Sequence, residues 1–144
     1  MNLNVVITGA NRGIGLSFCK YFNSLGHNIY AVCRKSSSEL EKITDNIIDC
    51  IDISSEDDCK KLFQKLSDTK IDILINNAGI LRNEILGQLN FDTINQQFQV
   101  NTIGALRVSE GLLDNMDHNS KIALITSRMG SITDNSSGGR YGYR

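Results

Sequence analysis

Apolar positions in this chain come either as short unbroken runs or as recurrences every three or four residues. Leu3 to Thr8, LNVVIT, is a β-branched run closing on glycine, the pattern of a buried strand. Ile14, Phe18, Tyr21 or Phe22, and Leu25 follow at helical spacing, with Gly26 as the stop. NIYAVC over 28–33 predicts a second strand, SSSELEKI over 36–43 a short polar helix, and NIIDCID over 46–52 a third strand. Ser54 or Ser55 ahead of Glu56, Asp57 and Asp58 predicts a helix start, a hydroxyl cap with carboxylates at the positive end of the dipole. Its core face is expected to be Cys59, Leu62, Phe63 and Leu66. IDILIN over 71–76 and KIALITS over 121–127 predict a fourth and fifth strand.

Between those two strands the spacing predicts one long helix. Phe91, Ile94, Phe98, Asn101, Ala105, Val108, Leu112 and Met116 form one stripe, apolar except for Asn101. A buried amide needs partners, so Asn101 is either a cap on neighbouring backbone or a functional group. Val100, Ile103, Leu106 and Leu113 make a second stripe, which calls for a further helix or another subunit. Strands alternating with helices in this rhythm imply right-handed βαβ units and a parallel sheet covered on both faces.

Composition narrows the partners. With 144 residues, 40% of them apolar, residues 1–144 are expected to form a single globular domain rather than a disordered chain. A net charge of −1 with interspersed signs gives no footprint for nucleic acid or an anionic membrane, so a small-molecule partner is expected. No apolar run approaches the roughly 20 residues that span a bilayer, and MNLNVV has neither a charged n-region nor a cleavage site. The four cysteines, Cys19, Cys33, Cys50 and Cys59, have no metal-ligand spacing, so no metal site is expected. They fit reduced thiols in a cytoplasmic protein, a redox role being the alternative.

The chemistry concentrates in TGANRGIG, Thr8 to Gly15, between the first strand and the first helix. Glycines there let the backbone turn tightly and approach a pyrophosphate, while the helix N-terminus offers free N–H groups and partial positive charge. A glycine turn without a ligand is the plain alternative; the strand-turn-helix context favours the ligand. With NNAG, Asn76 to Gly79, after the fourth strand, this sequence resembles the short-chain dehydrogenase/reductase family from about residue 3 onward. The resemblance implies an α/β fold, a Rossmann-type doubly wound parallel sheet in three αβα layers, ending here after the fifth strand. It implies that Thr8, Gly9, Asn11, Arg12, Gly13, Ile14 and Gly15, with Asn77, Ala78 and Gly79, bind a nicotinamide dinucleotide. Asp52, followed by Ile53, matches the aspartate that meets the adenine amino group, an ordinary strand-end aspartate being the alternative. Asn101 matches the asparagine supporting the proton relay, and Ser127 the serine that holds the substrate carbonyl.

Charge then argues the cofactor. Relatives preferring NAD(H) carry an acidic residue after the second strand, whereas Arg34 and Lys35 stand there in this chain. A guanidinium accepts no hydrogen bond from a ribose hydroxyl but suits a 2′-phosphate, so NADP(H) is expected over NAD(H), with Arg12 as a second cation. A solvated basic turn is the alternative.

The last stretch, SRMGSITDNSSGGRYGYR, resembles the subgroup of C-factor and small carbonyl reductases. That identifies Tyr143 as the catalytic tyrosine, with Tyr141 the alternative; the lysine of YxxxK would fall beyond Arg144. A free tyrosine titrates near pH 10, and bringing it to neutrality takes roughly 4 kcal/mol of phenolate stabilisation. The family draws that from the lysine and the oxidised ring. The expectation is therefore an NADPH-dependent reductase of a ketone or aldehyde, impaired or inactive as this 144-residue chain, truncated before the lysine, and prone to self-association as a homo-oligomer through its exposed sheet edge. The alternative is a protein that binds NADPH or signals without catalysis.

Overall fold

The computed structural model describes residues 2–127, 130, 131, 133, 141 and 142. Five parallel strands form one sheet: β1 (Asn4–Thr8), β2 (Asn28–Val32), β3 (Ile47–Ile48), β4 (Ile73–Asn76) and β5 (Lys121–Leu124), in the order β3-β2-β1-β4-β5. Thr8 pairs with Val32 and Ile7 with Ile75, so β1 lies at the centre. Chain order runs one way from β1 to β3 and the other way from β1 to β5. A crevice opens at the carboxyl ends of strands on either side of such a reversal.

Side chains alternate across the sheet, and both faces are buried along β1, β2 and β4, whereas along β5 Ile122 and Leu124 are exposed, so the sheet expected to be covered on both faces is covered only as far as β4. Val5, Ile7, Ala31 and Ile75 pack with Leu16 and Cys19 of helix α1 (Gly13–Ser24) and with Leu40. Val6, Val32 and Leu74 point the other way, against α2 (Glu56–Leu66) and α4 (Ala105–Gly111), through Cys59, Leu62, Leu66, Val108 and Leu112. These two clusters are the outer seams of three αβα layers. Strands buried on both faces are why the sequence shows unbroken β-branched runs rather than alternation.

Helix α2 is built as its sequence predicts. Ser55 Oγ accepts from the Asp58 amide, and Glu56, Asp57 and Asp58 occupy the first turn. Elsewhere the structure corrects the pattern. In α1 the packed side is Gly15, Leu16 and Cys19 with Phe18 and Phe22 beside them, while Ile14, Tyr21 and Leu25 are exposed. The predicted helix over 36–43 is a set of turns, held by Leu40, which is fully buried, and by Ser37 Oγ donating to the Asn11 carbonyl. The third strand keeps only Ile47–Ile48, because Cys50 adopts φ 56° and swings the chain across the strand ends.

The long helix departs most. It divides into α3 (Phe91–Phe98), a π-helical turn over Gln99–Gly104, α4, and a 3-10 turn over Leu113–Asn115. A π turn adds one residue to the helical period. Downstream of it Val108 and Leu112 are fully buried as predicted; upstream the phase slips by one, so Gln97 is 0% exposed while Phe98 is 47% and Phe91 74% exposed.

Candidate functional site

The crevice lies where β1 and β4 end. Thr8 closes β1, fully buried, and its Oγ1 accepts from the amides of both Asn77 and Ala78 at 3.0 Å. In return Asn77 Nδ2 donates to the carbonyls of Thr8 (3.0 Å) and Gly9 (3.3 Å). Gly9 has φ 67°, and a Cβ there would lie 2.8 Å from Ala78 Cα. A Cβ on Gly15 would collide with the Gly9 carbonyl oxygen and stand 2.6 Å from Asn77 Nδ2. Thr8, Gly9, Gly15 and Asn77 thus weld the two loops together from beneath.

The weld leaves the first turn of α1 open to solvent. Its N-cap, Arg12, makes no side-chain cap bond, and the turn contains no acidic residue. Uncapped N–H groups at a helix start are unsatisfied donors and carry partial positive charge. Around this turn runs a cleft of about 580 Å³. Gly9, Asn11, Arg12, Gly13, Ile14, Arg34, Asp52, Ile53, Asn77, Ala78 and Gly79 all line it. Of the cofactor residues read from sequence, only Thr8 and Gly15 do not face the cleft, since both are spent on building it.

At the mouth, Arg34 and Lys35 are exposed. Arg34 Nη1 lies 3.9 Å from Asp52 Oδ2, a long and solvated pair that costs little to break. Asp52 Oδ1 is already occupied, accepting from the amide (2.9 Å) and hydroxyl (2.6 Å) of Ser54. The geometry thus shows the strand-end role of Asp52, closing the turn after β3, in a residue that also lines the cleft.

The three residues matched to catalysis are placed unevenly. Asn101 sits in the π turn, and both ends of its amide are used on one residue, Oδ1 accepting from Ile80 N (2.8 Å) and Nδ2 donating to Ile80 O (2.7 Å). Its side chain is the backbone cap that burial alone suggested, and through Ile80 it steadies a cleft wall. Ser127 is exposed, three residues past β5 and outside the cleft lining. Tyr143 lies outside the described residues; Tyr141 is exposed. Cleft residues absent from the sequence reading are Val32, Cys33, Ile51, Ile80 and Val100. Ile80 follows NNAG directly and was within reach of the motif; Val100 arrives only through the π turn.

Cys33 is buried at the cleft floor, and burial, then the charge of Asp49, pushes its thiol up to about 11. Burial pushes Cys19 up to about 12 and raises Cys59. Thiols of that kind stay protonated and unreactive at neutral pH. Cys50 is the exposed one. An alkylating reagent at pH 7.5 is expected to label Cys50 alone in the folded chain and all four cysteines in denaturant, as counted by mass spectrometry; rapid native labelling of Cys33 would contradict this packing.

The arrangement has close counterparts. Residues 3–142 match the family model described as short chain dehydrogenase. A 1-hydroxy-2-glutathionyl-2-methyl-3-butene dehydrogenase of Rhodococcus sp. (strain AD45) is 31% identical over 142 residues, 97% of this chain and 63% of that protein. The C-signal protein of Myxococcus xanthus is 38% identical over 77 residues, 51% of this chain and 46% of that one. A short-chain dehydrogenase/reductase of Burkholderia multivorans solved with bound NADP superposes with a TM-score of 0.88 at 26% identity, covering 100% of this chain and 67% of that one. The chain spans less than two thirds of the length of these two curated relatives.

Proposed function

Because the chain belongs to the short-chain dehydrogenase family, whose members are oxidoreductases binding nicotinamide dinucleotides, we propose that its cleft takes NADP(H) in preference to NAD(H) and serves reduction of a ketone or aldehyde. One observation carries the preference: the rim after β2 presents Arg34 and Lys35, both exposed and both lining the cleft. A 2′-phosphate there would meet a guanidinium whose ion pair with Asp52 is 3.9 Å long. Arg12 adds a cation from the glycine turn. The fit extends to the pyrophosphate, for which the uncapped start of α1 and the Gly9–Gly15 close approach leave donors and room. Asn77, Ala78 and Gly79 would border the ring end of the same cleft.

Reduced nicotinamide supplies a hydride when bound. In this reading the chain supplies the rest. Ser127 polarises the substrate oxygen, Tyr143 donates the proton, and Asn101 holds the wall at Ile80. No helix among the described residues is long and apolar enough to cross a membrane.

Arg34→Asp is the test. It exchanges a donor for a group that repels phosphate and accepts from ribose hydroxyls. Affinity for NADPH is expected to fall roughly 10–100-fold, the worth of a charge-assisted hydrogen bond, with NADH affinity unchanged or improved. Equal losses for both coenzymes, measured by nicotinamide fluorescence, would sink the assignment.

A further inference from the structure

Beyond the glycine turn, the cleft depends on the segment that leaves β4, and a polar stripe on the neighbouring helix grips that segment. Thr93, Gln97 and Asn101 stand four residues apart, one above another on a single helical face. They meet Glu84, Arg82 and Ile80, alternate residues of the segment running the opposite way. Gln97 Oε1 accepts from Arg82 N at 2.8 Å, and Gln97 Nε2 donates to Glu84 Oε1 at 2.8 Å. Thr93 Oγ1 donates to the same Glu84 oxygen at 2.8 Å. Asn101 clasps Ile80 at both ends of its amide. Ile80 in turn lines the cleft, next to Gly79.

The centre of this ladder is dry. Gln97 is 0% exposed and Glu84 is 4% exposed. Glu84 Oε2 has no hydrogen-bond partner among the described residues and lies against Gly142, where a Cβ would collide with it. Burying an amide and a carboxyl side by side is costly unless each bond is made. An apolar contact would have covered this face of α3 at lower cost. That cost is offset by register: an apolar pair permits sliding, whereas Gln97 fixes Arg82 by its amide and Glu84 by its side chain at once.

We propose that Gln97 and Glu84 are positioning residues for the dinucleotide, locking residues 80–84 so that the Gly79–Ile80 wall of the cleft stands in place before any ligand arrives. The proposal rests on the coenzyme reading given above, and its test separates the two. Gln97→Leu keeps roughly the same volume and removes the bonds to Arg82 and Glu84, along with one to the Thr93 carbonyl; Glu84→Gln keeps an acceptor for Gln97 and Thr93. With binding measured well below the melting temperature, Gln97→Leu is expected to weaken NADPH about tenfold, the equivalent of one lost buried hydrogen bond, and Glu84→Gln to bind as the parent does. A merely structural role would lower the melting temperature of Gln97→Leu and leave its affinity alone, which would overturn the proposal.

Amide exchange in the coenzyme-free chain provides a readout that needs no ligand. Gln97→Leu should speed exchange at Ile80 as well as at Arg82, although Ile80 is held by Asn101; acceleration at Arg82 alone would mean there is no ladder, whatever the coenzyme does. If the parent chain binds neither NADPH nor NADH, the coenzyme reading fails while exchange still decides whether the ladder exists. Should Gln97→Leu lose its cooperative melt, Glu84→Ala cuts the same node from the loop side and carries the same expectations.

Discussion

Gly15→Ala is expected to lose NADPH binding by more than about tenfold and to destabilise the chain by about 3 kcal/mol, the upper part of the range for overpacking. The cause is the nature of what a methyl group would meet. A Cβ at Gly15 runs into the Gly9 carbonyl oxygen and comes within 2.6 Å of Asn77 Nδ2. Backbone cannot step aside as a flexible side chain can. Gly9 is itself pinned, at φ 67° with Ala78 Cα 2.8 Å from where its own Cβ would be. The collision therefore pushes the whole turn away from β4, and the turn is the cleft floor. Gly13→Ala is the control: apart from its own turn of helix, none of the described residues comes within 4 Å of a Cβ there, and its φ of 55° is what resists the change. Its stability loss should be the smaller of the two in thermal or urea unfolding. A Gly15→Ala chain that melts and binds like the parent would contradict the packing described.

Thr8→Val is the second large effect. The substitution preserves shape and removes one oxygen, which accepts from the amides of Asn77 and Ala78 in a fully buried position. Each orphaned donor costs about 1–3 kcal/mol, so a loss of roughly 2–5 kcal/mol is expected. Thr8→Ser restores the acceptor and should recover most of it. Recovery by serine distinguishes the hydrogen bonds from the packing of the methyl group. Equal melting temperatures for the valine and serine variants would show that the two amides are satisfied another way.

Much of this could be read before the fold was known, for identifiable reasons. Doubly buried strands leave unbroken apolar runs, and the helix start at Ser55 writes its cap and its carboxylates in consecutive residues. The cleft was legible for the same reason. Nearly all of its lining comes from four short stretches of sequence, Gly9 to Ile14, Val32 to Lys35, Ile51 to Ile53 and Asn77 to Ile80. What stayed hidden depends on phase. A π turn has no compositional mark, so the stripe through Phe91 and Phe98 looked like core when Gln97 was the buried residue. With Gln97 out of view, its partner Glu84 was one more charged loop residue. Asn101 was read two ways from sequence; the geometry supports the cap directly, and its role in proton relay stays a proposal.

The cleft is already formed among the described residues, and it is expected to prefer the phosphorylated coenzyme. Titration of the purified chain with NADPH and with NADH, following nicotinamide fluorescence alongside the melting temperature, tests it most directly. Saturable binding with NADPH the tighter ligand, and a melting temperature that rises further with NADPH than with NADH, is the result expected here. A cooperative melt with NADH bound as tightly as NADPH, or with neither bound, would contradict it.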